Sequence, residues 1–265
     1  MRERPGNHSV RPKKHLGQHF LVDQNAAERI AAIVSPSEAG QLIEIGPGTG
    51  VLTKLLYPVW GDKLICVEID RESVNYLEKA DWAVGLKLLN ADFLKLRPSE
   101  IFTAQNPAVI GNYPYNISTQ IAFQVLESPI PVSFFGGMFQ MEVARRFCAP
   151  HGNKEYGVTS VLLQSWYQCE YIFTVEPDCF FPPPKVRSGV IACRRKAQGP
   201  ACTYKSLSLV VKTAFNQRRK TLSNALKSLT SSKPGFQIPT EWVGLRAEQL
   251  SVAQFEELAV LWEKV

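Results

Sequence analysis

Leu42-Ile43-Glu44-Ile45-Gly46-Pro47-Gly48-Thr49-Gly50 is the stretch on which the fold turns. Its first four residues are mostly branched and apolar, the composition of a buried strand. Three glycines follow at alternate positions, and Leu52, Leu55 and Leu56 then recur at helical spacing. Strand, glycine turn and helix open a βαβ unit, and glycines at that turn let a backbone approach a ligand closely. The spacing G-x-G-x-G is one residue short of the dinucleotide fingerprint, so the loop alone also fits a tight turn without a ligand.

Downstream the grammar repeats. Lys63–Ile69 reads as a strand, Arg71–Ala83 as a helix and Leu86–Asn90 as a strand; Ala108–Ile110 and Val132–Met138 add two more around a helix near Ser118–Glu127. Strands joined by helical crossovers predict a mostly parallel sheet with helices on both faces. Cys169–Val175 and Val186–Arg194 predict two further strands, pairing antiparallel at one edge. Upstream, Asp23 caps a helix running to about Val34. After residue 200 strand signals stop, and Leu207–Phe215, Thr221–Leu229 and Val252–Trp262 carry amphipathic helical patterns. The expected organisation is a flexible basic arm over 1–18, an α/β domain over 19–199 and a small all-α domain over 200–265.

Two acids sharpen the glycine loop. Glu68 closes the second strand, where a carboxylate can accept both hydroxyls of a ribose. Asp92 lies just past the third, where it can accept from an adenine amino group. With Gly46 and Gly48 they describe a pocket for an adenosine moiety, a need that a nicotinamide cofactor shares.

Gly111-Asn112-Tyr113-Pro114-Tyr115-Asn116 narrows the chemistry. An exocyclic adenine amine is a poor nucleophile, because its lone pair is delocalised into the ring. Its activation needs acceptors that grip both N–H groups and stabilise developing positive charge. The Asn112 side-chain carbonyl supplies one acceptor and the Tyr113 backbone carbonyl the other, with Pro114 fixing the turn. Tyr115 offers a flat face for an unstacked base. A second aromatic–proline run, Phe180-Phe181-Pro182-Pro183-Pro184-Lys185, reads in two ways: Phe181 flanks the same base, or the loop is a rigid one with buried phenylalanines.

Charge points to the partner. The chain carries net charge +6, yet twelve Lys/Arg fall between Lys185 and Thr240 without one Asp or Glu. One-sided blocks of this kind suit a surface that neutralises phosphates. Six cysteines show no C-x-x-C pair and no metal-ligand spacing, so they read as reduced thiols of a cytoplasmic protein with no metal. The hydrophobic share is 45%, no apolar run is long enough to span a bilayer, and the basic N-terminus does not read as a secretory signal.

Five segments in order, Lys14–Leu21, Glu44–Gly50, Asn112–Ser118, Phe181–Ser188 and Phe215–Leu222, resemble the A-type ribosomal RNA adenine dimethyltransferases, those that act on small-subunit rRNA. The resemblance implies a Rossmann-like, S-adenosylmethionine-dependent methyltransferase domain plus a helical C-terminal domain. It implies a cofactor site of His19, Leu21, Gly46, Glu68, Asp92 and Asn112, with Gln18–Leu21 lying across the cofactor as a lid. It further implies dimethylation of two adjacent adenosines in a hairpin near the 3′ end of small-subunit rRNA, on the assembling 30S particle; nothing in the sequence demands more than a monomer. Arg11, Lys13 and Lys14 in the arm, Lys185 and Arg187 in the proline loop, and Arg218, Arg219 and Lys220 in the helical domain are then the expected phosphate ligands. His19 stands where many relatives have asparagine and Tyr113 where many have leucine. Three rivals frame these expectations: a large-subunit rRNA methyltransferase of the macrolide-resistance type, a non-catalytic RNA-binding assembly factor on the same fold, and a nicotinamide oxidoreductase.

Overall fold

The computed structural model describes residues 10–265; positions 1–9 of the expected basic arm lie outside the described residues. In chain order the strands are β1 (Phe20–Leu21), β2 (Gln41–Ile45), β3 (Leu64–Glu68), β4 (Lys87–Asn90), β5 (Pro107–Asn112), β6 (Phe134–Gln140), β7 (Tyr167–Val175), β8 (Phe180–Phe181) and β9 (Ser188–Arg195). The helices are α1 (Gln24–Ala31), α2 (Thr53–Trp60), α3 (Arg71–Glu78), α4 (Pro98–Ile101), α5 (Ser118–Glu127), α6 (Met141–Cys148), α7 (Val158–Trp166), α8 (Tyr204–Asn216), α9 (Leu222–Ala225), α10 (Lys227–Ser232) and α11 (Val252–Glu263).

Seven strands form one sheet in the order β4-β3-β2-β5-β6-β9-β7. The first five are parallel, and β9 runs antiparallel to β6. Helices α2, α3, α4 and α5 lie in the four crossovers between the parallel strands. Strand order reverses between β2 and β5, which opens a crevice at the carboxyl ends of the strands. All five positions of β2 are buried, as expected for a central strand covered on both faces. Leu42, Ala108, Ile110, Phe134 and Met138 pack with Ala27 and Ile30 of α1 and Leu56 and Trp60 of α2. Each such leucine or isoleucine contributes roughly 1.5–3 kcal/mol through burial. The short strands β1 and β8 pair antiparallel as a separate ribbon, Phe20 opposite Phe181 and Leu21 opposite Phe180.

The described residues divide into two compact units, 10–144 with 170–194, and 145–169 with 195–265. In the second, α8 packs against α7, α9 and α11. Leu207, Val210 and Val211 of α8, Val161 and Leu162 of α7, and Phe255 and Leu258 of α11 are buried. The segment 145–169, which the sequence reading keeps in the larger domain, therefore groups with the C-terminal helices. Three consecutive buried residues in α7, Val161-Leu162-Leu163, blur a helical period, and no strand or helix was expected there. Two other expected helices are shorter. The one from Arg71 ends at Glu78, and the one from Thr221 breaks into α9 and α10 at Leu226. None of the described helices is long and apolar enough to cross a membrane.

Candidate active site

A cavity of about 300 Å³ opens at the crevice, lined from the ends of β2, β3, β4 and β5. The glycine loop is its floor. Gly46 donates to the Val67 carbonyl at 2.9 Å, and Gly50 closes a turn onto Pro47 at 2.8 Å. Gly48 has φ +57°, and a Cβ built there would stand 2.9 Å from the Phe20 ring. Only glycine accommodates that backbone and that neighbour together. A Cβ on Gly46 would meet nothing within 4 Å, so the loop presents bare backbone to open space.

Glu68 is 3% exposed. Its two oxygens accept from the Gly48 amide at 3.0 Å and the Asp70 amide at 2.8 Å. Burial pushes its carboxyl above the ordinary range, while those amides pull it back. Each oxygen keeps a lone pair for a further donor. Asp92 caps the turn Phe93–Lys95, accepting from Leu94 N at 3.1 Å, with Lys95 3.6 Å away. Beneath the loop, Glu44 is fully buried beside Thr53 and accepts from the Cys66 thiol at 3.6 Å. Burial raises its carboxyl to about 7, against the pull of the neighbouring Cys66 thiol and Thr53 hydroxyl.

The Asn112–Tyr115 turn closes the cavity from the β5 side. The Asn112 Nδ2 donates to the His19 carbonyl at 2.9 Å, which fixes the amide and leaves Oδ1 without a donor among the described residues. Tyr113 is 1% exposed, packed between Phe135 and Phe139, and its hydroxyl donates to the Gly136 carbonyl at 2.8 Å. Its amide donates to Met138 O at 3.1 Å, whereas its own carbonyl receives no hydrogen bond among the described residues. The Pro114 carbonyl is occupied by the amides of Ile117 and Ser118. Two free acceptors thus flank the turn. Tyr115 is held by a 2.6 Å hydrogen bond to Ser188 and lies against the His19 ring, centroids 5.7 Å apart.

The last wall is the segment from His15 to Leu21, every residue of which lines the cavity. His19 directs Nδ1 at the Pro182 carbonyl, 2.8 Å away, and so ties this segment to the proline loop. Of that loop, Phe180 is buried and Phe181 stands 49% exposed outside the cavity lining. The structure therefore brings His19, Leu21, Gly46, Gly48, Glu68, Asp92, Asn112, Tyr113, Pro114 and Tyr115 together and leaves Phe181 beside them. Sequence reasoning gave no role to Asp70 or Ser188. Asp70, two residues past Glu68, was the one with a readable signal: it caps α3.

The expected phosphate ligands divide. Arg11, Lys14, Lys185, Arg219 and Lys220 are exposed. Lys13 instead pairs with Asp70 and with Glu72 at 3.4 Å. Arg187 lies 3.9 Å from Glu176. In the helical unit Arg218 lies 3.6 Å from Glu248 and donates to the Lys154 carbonyl at 2.7 Å. Lys220 lines a polar hollow with Gln217, Asn224, Lys227, Ser228 and Ser231. None of the six cysteines is in a disulfide, and no group of three His, Cys, Asp or Glu among the described residues is arranged for a metal.

A parallel sheet with one antiparallel strand near its edge, a glycine loop and two strand-end carboxylates define the fold as that of a Rossmann-like methyltransferase. The chain belongs to the ribosomal RNA adenine dimethylase family, whose model matches residues 9–257. It is 47% identical over 257 residues to ribosomal RNA small subunit methyltransferase A of Parabacteroides distasonis, covering 96% of this chain and 95% of that protein. Identity to the protein of the same name from Flavobacterium johnsoniae is also 47%, over 97% of this chain and 96% of that one. Among solved structures, a dimethyladenosine transferase from Plasmodium falciparum superposes with TM-score 0.76 at 22% identity, over 93% of this chain and 98% of that one. The 23S rRNA methyltransferase ErmE superposes with TM-score 0.69, also at 22% identity, over 92% and 99%. The two structural likenesses are likenesses of fold.

Proposed function

We propose that this chain dimethylates the N6 amines of two adjacent adenosines in a hairpin near the 3′ end of small-subunit (16S) rRNA. S-adenosylmethionine is the methyl donor, and the protein works as a monomer on the assembling 30S particle in the cytoplasm. The observation that carries this reading is the pair of free acceptors at Asn112 Oδ1 and Tyr113 O, on the wall of a cavity built for an adenosine.

The residues present fit the donor. Gly46 leaves open backbone where a ligand must approach, Glu68 has lone pairs for two ribose hydroxyls, and Asp92 can accept from the adenine amine. Bound there, S-adenosylmethionine supplies a sulfonium-borne methyl group as the electrophile. Asn112 and Tyr113 hold the two N–H groups of the incoming amine and stabilise positive charge growing on its nitrogen. Tyr115 supports the flipped base on the face that His19 leaves free, and Phe181, half exposed, covers it from the proline loop. The Gln18–Leu21 segment sheds water from the reacting centre. No strong base is needed, because an alkylated ammonium loses its proton readily to water. Arg11, Lys14, Lys185, Arg219 and Lys220 meet rRNA phosphates.

The relatives at 47% identity, small-subunit methyltransferases by name, favour this substrate over the large-subunit one. Labelled methyl transfer to immature small subunits, followed by mass mapping of the modified nucleotides, tests the reading. Asn112→Ala is expected to lower incorporation by about 10²–10³-fold, the loss typical of a transition-state hydrogen bond. Equal incorporation by both proteins would remove the catalytic assignment, and label on large-subunit rRNA would replace the substrate.

A further inference from the structure

Asp70 has no part in the chemistry above, yet four donors converge on it. It is 3% exposed. The Glu72 amide at 3.1 Å and the Ser73 hydroxyl at 3.3 Å are its helix-capping partners. The Gln18 side-chain amide at 3.2 Å and the Lys13 ammonium come from a segment more than fifty residues earlier. Burial pushes the Asp70 carboxyl up, but the bonds from Lys13 and Gln18 outweigh it and hold the group below the ordinary carboxylate range.

The segment so anchored is the cavity wall from His15 to Leu21. Gln18 Oε1 also accepts from the Lys13 amide at 2.9 Å, which closes the chain around the short turn Lys14–Leu16. Gly17 ends that turn at φ +65°, where an added Cβ would stand 2.8 Å from Asn116 Oδ1, so the turn is fitted to the loop after Pro114. The residue after Gln18 is His19, whose carbonyl receives the Asn112 amide. A continuous line of contacts therefore runs from Asp70 through Gln18 and one peptide unit to Asn112.

We propose that Asp70 is a positioning residue that latches the 13–21 segment, through Lys13 and Gln18, as the lid of the donor cavity and thereby sets the orientation of Asn112. Lys13 is then part of the latch and does not contact rRNA phosphate. The proposal rests on the reading that the cavity holds S-adenosylmethionine, and it gives Lys13 and Asp70 a shared fate. A phosphate-binding Lys13 would act alone.

Lys13→Met, Asp70→Asn and the double variant separate the two. Asparagine caps a helix as well as aspartate does, so α3 survives the change. Lys13→Arg keeps the ion pair and serves as the conservative control. Calorimetric titration of S-adenosylhomocysteine, hydrogen exchange over residues 14–21, and RNA affinity against salt are measured on the full chain. Each single variant is expected to weaken the cofactor product by about tenfold, the scale of one charge-assisted hydrogen bond. Each should also speed exchange over 14–21 and lower kcat while KM for RNA stays put. The double variant should be no worse than the poorer single one, and Lys13→Arg should behave as wild type. The latch is overturned if Asp70→Asn leaves affinity and exchange unchanged while Lys13→Met weakens RNA binding and flattens its salt dependence. If exchange responds to both variants but wild type binds no S-adenosylhomocysteine, the latch stands and the cofactor reading fails.

Discussion

The two halves of the cavity are built on opposite principles. The glycine-loop half is made by residues close in sequence at the ends of adjacent parallel strands. Its key carboxylate, Glu68, is buried with both oxygens on backbone amides. The half around Tyr115 and His19 is assembled from segments far apart in the chain: His19 against Pro182, Phe20 opposite Phe181, Tyr115 on Ser188. Its ribbon has two residues per strand, and Phe181 remains half exposed. One half fixed in the core and one tied by a few polar contacts suit the proposed reaction, with its small constant donor and a large RNA that must dock and leave. Few buried contacts mean lower local stability.

That contrast can be tested from the rigid side first. Glu68→Gln keeps the volume but loses an acceptor and a charge. Binding of S-adenosylhomocysteine by calorimetry is expected to weaken by roughly 100-fold, since hydrogen bonds to charged groups contribute about 1.5–3 kcal/mol each. Unchanged binding would mean that this half is not the cradle.

Glu44 supplies a pH signature of the same buried region. Its folded carboxyl titrates near 7 against an ordinary 4.5, so between those values the folded state holds a proton that the unfolded chain has lost. Stability from this group therefore falls as pH rises through that window and levels off above 7. Urea melts of wild type and Glu44→Gln should diverge by about 2–3 kcal/mol between pH 4.5 and 8, with wild type losing ground. Parallel curves would show that the region tolerates the charge.

The smallest stability effect is expected on the other side. Phe181→Ala removes a half-exposed ring and should change unfolding free energy by about 1 kcal/mol or less, with cofactor affinity unmoved. Methyl transfer to RNA should nonetheless drop. A large loss of stability would erase the distinction between the halves.

Much of this was legible because parallel strands speak through local composition. Residues 42–45, 108–110 and 132–138 are apolar runs bounded by turn chemistry, and glycines and acids at their carboxyl ends fall at the crevice whatever the remote contacts. Tyr113 was readable as a backbone contributor, and its buried ring anchored to Gly136 accords with that. The rest was not legible, for physical reasons. Strands of two residues carry no period, so β1 and β8 leave no pattern. In α7 three buried residues in a row, Val161-Leu162-Leu163, hide the helical period. The partners of Lys13 and Arg218 could not be read, because a cation's sequence context does not reveal which carboxylate will fold beside it. The Phe-Pro loop splits its two rings: Phe180 is buried, as a rigid packed loop requires, while Phe181 is half exposed.

By itself the sequence determined the α/β order, the glycine turn, the two strand-end acids and the Asn-Tyr-Pro-Tyr turn, since each follows from short-range sterics and hydrophobic periodicity. Tertiary structure alone decided which acceptors stay free, which cations already have a carboxylate beside them, and how the Gln18–Leu21 lid segment is tied to Asp70, Asn112 and Pro182. The ties of that segment are hydrogen bonds between residues 52 to 163 positions apart, and only a folded chain puts such groups within about three ångströms of each other.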